Sequence, residues 1–228
     1  MSAADPLAHV LAPLTALDWD DVATVADSVE PLLREVATAD VLAAAVDHVR
    51  RAPDLRAACE HDDFFRKLTL ARDPSTGVAL RLHQLAPEDA PVPHNHRASF
   101  AALQLAGHYR HLLYDPPPAH DAEPTPAQIT GLRPTVARVE RPGTFYALHH
   151  GAVHATLVSD GHLSLVARGP SRRRRLMMLH PATGRIEWLY GGADETPAAL
   201  QAKQMADDVF DDMTRFVTHV VAEREVAR

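Results

Sequence analysis

The chain has 228 residues, 46% hydrophobic and 23% charged, an ordinary globular composition with enough apolar side chains for a sizeable core in one domain. Its formal net charge of −7 excludes a general basic surface for nucleic acid. No apolar run approaches the roughly 20 residues that span a bilayer. A single cysteine, Cys59, excludes an internal disulfide. The first residues, MSAADPLAHV, carry no basic, apolar leader, so the expected compartment is the cytoplasm. Fifteen histidines stand out, and histidine is both a metal ligand and a proton carrier.

Residues 1–75 read as an alanine-, leucine- and aspartate-rich helical segment packed on the rest of the chain. Asp18 or Asp20 is placed to cap a helix through VATVADSVEPLLREVA, and Asp40 one through VLAAAVDHVRR, which Pro53 ends. Over residues 76–195 the period changes. Short runs such as GVALRLHQL, SFAALQLAG, HYRHLLY, VHATLVSD, HLSLVAR and RIEWLY recur about every ten residues between Gly, Pro, Asp and Asn. That pattern predicts a mainly β sandwich or barrel. Asp160-Gly161 and Thr183-Gly184 are expected hairpin turns. DPPPAHDAEPTPA, residues 115–127, is too proline-rich for a strand and is expected as a surface loop. Residues 196–228 predict one long helix, capped by Thr196 with Pro197 in its first turn. Its apolar stripe from Leu200 to Val221 is expected to dock on the domain or to make a dimer contact. The chain is expected as one structural domain, a monomer or a homodimer.

His94-Asn95-His96 ends the first β-run, after a proline turn. Residues i and i+2 of a strand point to the same face, so these two imidazoles are expected to converge. His154, after the turn at Gly151, is the candidate third member. Imidazoles in threes suit zinc, iron, copper or nickel better than magnesium or calcium, which prefer oxygen.

His94-x-His96, three residues, Phe100, six residues, Gly107, and later Gly151-x-x-His154 resemble the two motifs of the cupin superfamily. The resemblance implies a double-stranded β-helix, a jelly-roll barrel, with N-terminal helices and a long C-terminal helix here. Where the first motif usually has glutamate, this chain has Phe100, followed by Ala101. His149 stands at the usual proline of the second motif, and Val158 at its usual asparagine. The implied site is three histidines without a carboxylate. In this it is similar to the cysteine dioxygenase, or thiol dioxygenase, family, to which the hairpin LMMLHPATGRIEWLY is also similar. That likeness implies a mononuclear non-haem enzyme with one Fe(II) per chain, held by His94, His96 and His154, and O₂ as co-substrate. The family's Ser-x-His-x-Tyr run reads Ser164, Val166 and Arg168 here. That departure favours a small thiol or amino-acid-like substrate other than cysteine.

Strand parity places Arg81 and His83 on one face of GVALRLHQL, which by the resemblance looks at the metal. Arg168 shares a face with Ser164. A buried arginine suits capture of a carboxylate, so Arg81, Phe100, Ser164 and Arg168 are the expected substrate-binding residues. His83, Tyr146 and Arg168 are the expected catalytic ones. His108 and Arg110 share one face of HYRHLLY, and His111 takes the other. Two alternatives stay open. One is a metal-dependent isomerase, lyase or hydrolase with His83 or Tyr146 as proton carrier. The other is a ligand-binding cupin without turnover.

Overall fold

The computed structural model describes residues 5–62, 64–87, 90–115, 123–191 and 194–226. Four helices come first: α1 (Ala8–Thr15), α2 (Val22–Val36), α3 (Ala39–Arg51) and α4 (Pro53–Ala57). Eleven strands come next among the described residues: β1 (Glu60–His61), β2 (Phe65–Arg72), β3 (Ala79–Leu85), β4 (Phe100–Ala106), β5 (Tyr109–Tyr114), β6 (Pro134–Glu140), β7 (Phe145–Leu148), β8 (Val153–Val158), β9 (Leu163–Arg168), β10 (Arg175–His180) and β11 (Arg185–Tyr190). Between β5 and β6 lies α5 (Pro126–Thr130), and α6 (Pro197–Ala202) and α7 (Asp207–Val226) close the chain.

One sheet has the order β1-β2-β3-β9-β4-β7 and the other contains β6-β5-β8. All their pairings are antiparallel. His94 forms single bridges to His154 of β8 and to Met178 of β10, so it is a one-residue rung continuing the second sheet. Counting that rung, the eight successive segments from β3 to β9 alternate as β3-β9-β4-β7 facing rung-β8-β5-β6. That is the order of a jelly roll built from two Greek keys. β1 and β2 widen the first sheet, and β10 and β11 widen the second.

Alternation along the first sheet separates two environments. Leu68, Leu70, Leu80, Leu82, Ala101, Leu103, Leu105, Leu163, Leu165 and Ala167 pack on the apolar faces of the helices, where Val25, Val29, Leu33 and Val36 of α2 recur at helical spacing. The opposite face carries Lys67, Arg81, His83, Phe100, Ala102, Tyr146, Ser164 and Val166, paired in register across β2, β3, β9, β4 and β7. This face lines the barrel interior. On the second sheet, Tyr109, His111, Leu113, Glu140, His154 and Thr156 are in register on one face. Leu112, Tyr114, Val153 and Ala155 on the other pack with Ile129, Met177 and Leu179.

Several local expectations are corrected. The helical segment read over 1–75 ends at Ala57, and the sheet begins at Glu60. FRKLTLAR mixes charge and apolar residues because Lys67 faces the interior while Leu68 and Leu70 face the helices. Asp21, rather than Asp18 or Asp20, caps α2 by accepting from the Thr24 N–H at 3.1 Å. Asp40 lies in the first turn of α3, whose N-cap position is Thr38. Of the proline-rich stretch, 116–122 lie outside the described residues, and its end is helical, since Thr125 caps α5 through a capping box with Gln128. The single C-terminal helix is two. Thr196 does cap α6, with Pro197 in its first turn. The backbone then leaves the helix, because Lys203 O accepts from His61 N at 2.8 Å and Met205 N donates to Cys59 O at 3.1 Å. These rungs on β1 use groups that a continuous helix would keep for itself. α7 buries Phe210, Met213, Val217 and Val220 against the helical layer.

Both predicted hairpin turns form, with Gly161 at φ +71° and Gly184 at φ +67°. Gly107 of the first motif turns β4 into β5 at φ +65°, where a side chain would meet the Gly161–His162 backbone at 2.9 Å. Only glycine fits both that conformation and that approach. Among the described residues, no helix is long and apolar enough to cross a membrane.

Candidate metal centre

His94 and His96 sit in the loop between β3 and β4 rather than on the strand itself. Their shared direction comes from locally extended backbone pinned on both sides. His94 exchanges two bonds with His154, N to O at 2.8 and 2.9 Å, and His96 N donates to His150 O at 3.1 Å. Asn95, between them, points the opposite way and is buried. Its Oδ1 accepts from Met177 N at 2.7 Å, and its own N–H donates to Met177 O at 3.1 Å. The histidine pattern alone gives Asn95 no role, although the alternation that converges the histidines also turns Asn95 back onto β10.

The structure brings His94, His96 and His154 together, one ligand atom of each lying within 4.8 Å of the others. Hydrogen bonds decide which nitrogen each offers. His94 Nδ1–H donates to Val92 O at 2.9 Å, leaving Nε2 as the lone-pair donor. His154 Nδ1 is 2.8 Å from His111 Nε2, so its Nε2 faces His96 Nε2 at 2.7 Å. Burial pushes all three pKa values down, with the neighbouring imidazoles adding to the shift for His96 and His154. Three neutral imidazoles aimed at one point form a donor set that fits a transition-metal cation. The residues that would hold it are those three.

Behind His154 stands a buried chain that the sequence does not reveal. His111 Nδ1–H donates to Glu140 Oε1 at 2.9 Å, and Arg138 Nε donates to the same oxygen at 2.5 Å. With a carboxylate at Nδ1, His111 presents a lone pair at Nε2 and accepts from His154 Nδ1–H. Burial keeps His111 neutral against the pull of Glu140. Parity puts His111 opposite His108 and Arg110, and it is buried while those two are exposed. Its link to Glu140 is illegible in the sequence because the two lie 29 residues apart.

Phe100, at the position where the resembling motif has glutamate, borders the three histidines. Its ring lies 4.7 Å from that of His96 and 6.0 Å from that of Tyr146. Tyr146 accepts from the Tyr109 hydroxyl at 2.7 Å, and burial pushes its pKa up to about 12. It is therefore a neutral phenol that keeps its own hydrogen for another partner. Ser164 is buried on the inner face of β9, in register with His83 and Gln104.

Arg81 and His83 are aligned on the inner face of β3. Arg81 Nε and His83 Nε2 are buried with no hydrogen-bond partner among the described residues. Burial and the nearby Lys67 and Arg81 charges hold His83 well below its ordinary pKa. Lys67, beside His83 on β2, is paired with Glu60, yet burial and Arg81 lower it to about 8. The interior thus carries more positive than negative charge on this side. Arg168 is placed differently. Its Nη1 donates to Gly77 O at 3.0 Å and Gly169 O at 3.1 Å, and its Nη2 to Ser171 Oγ. These bonds tie the end of β9 to the β2–β3 turn.

His149 and His150 lie near Asp20, at 3.9 and 3.6 Å, and Arg172 Nε approaches the same carboxylate at 3.3 Å. The donors of Asp20, His149 and His150 also fall within 4.8 Å of one another, but there the carboxylate is shared with a guanidinium. In the basic run, Arg174 pairs with Asp194 at 2.5 Å and Arg175 lies 3.7 Å over the Trp188 ring. Local partners thus take up much of that charge.

No family model and no curated protein matches this sequence. Among solved structures, the chain is similar to KdgF from Halomonas sp., with 14% identity over 50% of this chain and 88% of that one, at a TM-score of 0.35. It is also similar to a RmlC-like cupin from Shewanella frigidimarina NCIMB 400, with 13% identity over 50% of this chain and 85% of that one, at a TM-score of 0.36. The fold is defined by its own strand order. It is a jelly-roll barrel with a candidate three-histidine metal centre inside.

Proposed function

We propose that this chain is a three-histidine cupin enzyme, an Fe(II)-dependent dioxygenase acting on a small anionic thiol or amino-acid-like substrate. The observation that carries the reading is the convergence of three neutral imidazoles, with Phe100 where a carboxylate ligand would stand. Such a centre leaves a divalent ion its full charge and open positions for an anionic substrate. Fe(II) there supplies the redox chemistry that dioxygen needs.

The chain's own residues then have distinct tasks. Lys67 and Arg81 attract the substrate's carboxylate, and Arg81 Nε gains the partner it otherwise lacks. Phe100 and the apolar residues around it, Ala102, Leu113, Leu148 and Val166, exclude water from the reacting groups. Tyr146 offers a phenolic hydrogen bond to a developing negative oxygen without surrendering its proton. Neutral His83, whose Nε2 has no partner among the described residues, hydrogen-bonds and orients the incoming substrate. Arg168 acts by holding β9 in place.

A second reading rests on His83 itself. Its buried Nε2 has no hydrogen-bond partner among the described residues, so it is free to hydrogen-bond a substrate, and the same three ligands hold zinc or nickel, as an isomerase or lyase would need. Oxygen uptake by the Fe(II)-loaded protein, with a panel of small thiols and amino acids, separates the two. Uptake that needs the substrate and is lost in His154→Ala supports the dioxygenase. Substrate turnover with zinc and without oxygen supports the second reading.

A further inference from the structure

We propose that Glu140 and His111 form a positioning relay that makes His154 the strongest of the three metal donors, standing in for the carboxylate that Phe100 replaces. The inference rests on the metal-centre reading above and deepens it.

Each link has one workable direction. Glu140 is buried, and its Oε1 already accepts from Arg138 Nε–H at 2.5 Å, so that oxygen is an acceptor for His111 as well. His111 Nδ1–H must donate to it, at 2.9 Å. His111 Nε2 is then an acceptor, and the group facing it at 2.8 Å is His154 Nδ1, which must donate. That fixes the His154 tautomer with its Nε2 lone pair toward His94 and His96. A hydrogen bond from the far nitrogen of an imidazole to a chain ending in a carboxylate raises the basicity of the near nitrogen and locks the ring. Negative charge that the usual motif places directly on the metal arrives here through two imidazoles.

The parts are built into the second sheet. His111 faces Arg138 across β5 and β6, Tyr109 faces Glu140, and Leu113 faces His154 across β5 and β8. His111 and Glu140 are almost fully buried, so water screens their contact little, while Arg138 on the same oxygen offsets part of the carboxylate's charge. His94, by contrast, is oriented by the Val92 carbonyl, a neutral acceptor. The three donors are therefore unequal.

The test uses the full chain and Co(II) as the probe, with affinity read by chelator competition and geometry by the visible absorption of the bound ion. Glu140→Gln keeps size and an acceptor but removes the charge. The expected result is about 10- to 100-fold weaker Co(II) binding and a shifted spectrum, with metal-free stability near that of the parent. Glu140→Asp should recover part of the affinity. His111→Phe should weaken binding at least as much, and adding Glu140→Gln to it should change little more, because both act through one chain. Unchanged affinity and spectrum in Glu140→Gln, or additive losses in the double variant, would overturn the relay while leaving the metal centre standing. A parent protein that binds no Co(II) would overturn the relay and the centre together.

Discussion

The ring of Phe100 lies 4.7 Å from that of His96, edge to face, at the position where the resembling motif carries a metal-binding carboxylate. One side chain thus separates a centre with three neutral donors from one with an anionic fourth. Phe100→Glu is expected to bind a divalent ion at least about tenfold more tightly, each decade being about 1.4 kcal/mol. It should also lose oxygen uptake with anionic substrates, whose place and charge the new carboxylate takes. Chelator competition and an oxygen electrode read the two effects. Equal metal affinity would place position 100 away from the centre.

Asn95 holds the ligand loop from behind. Asn95→Ala leaves the buried Met177 N–H without the acceptor it has at 2.7 Å. The expected cost is about 1–3 kcal/mol of stability, with weaker metal binding because His94 and His96 are no longer held in register. Urea unfolding of the metal-free and metal-loaded forms measures both. A loss of stability with unchanged metal affinity would confine Asn95 to folding.

Lys67, lowered to about 8, is charged at neutral pH and uncharged in mild alkali. Affinity for a small carboxylate ligand should therefore weaken as pH rises from about 7 to about 9, either side of that value, and Lys67→Met should flatten that dependence. Arg81→Met should weaken the same ligand at all these pH values. Calorimetry across the range checks both, and a pH-independent affinity in the parent protein would remove Lys67 from the substrate site.

His162 is buried, accepts from Leu85 N at 3.1 Å, and is pushed by burial to a pKa of about 4. Its folded value lies below its unfolded one, so the unfolded chain binds the extra proton. The stability this gives is complete above about pH 6.5 and is lost as pH falls toward about 4, with about 3 kcal/mol as the limit for one such group. His162→Asn retains an acceptor and does not titrate. Its unfolding free energy should fall less steeply over that acid range than that of the parent. Parallel curves would contradict the assignment.

The barrel was legible wherever one strand face meets the helices and the other the interior, as in β3, β4 and β9, where apolar and polar residues alternate. It was illegible in β2, whose interior face carries Lys67 and so breaks the apolar pattern. The break between α6 and α7 left no glycine or proline to mark it, because pairing with β1 causes it. In the centre, His94, His96 and His154 were readable from spacing. Asn95, His111 and Glu140 were not, since their roles depend on partners dozens of residues away. Arg168 illustrates the reverse. Parity put it on the correct face, but its bonds to Gly77 and Gly169 depend on a turn that the strand pattern does not describe.

The most direct test of the three-histidine centre is metal content by mass spectrometry on protein purified without oxygen, beside the His96→Ala variant. About one iron per parent chain is expected, and none in a variant that still unfolds cooperatively. Iron retained at full occupancy in His96→Ala, or no metal in the parent after Fe(II) is offered, would contradict that centre.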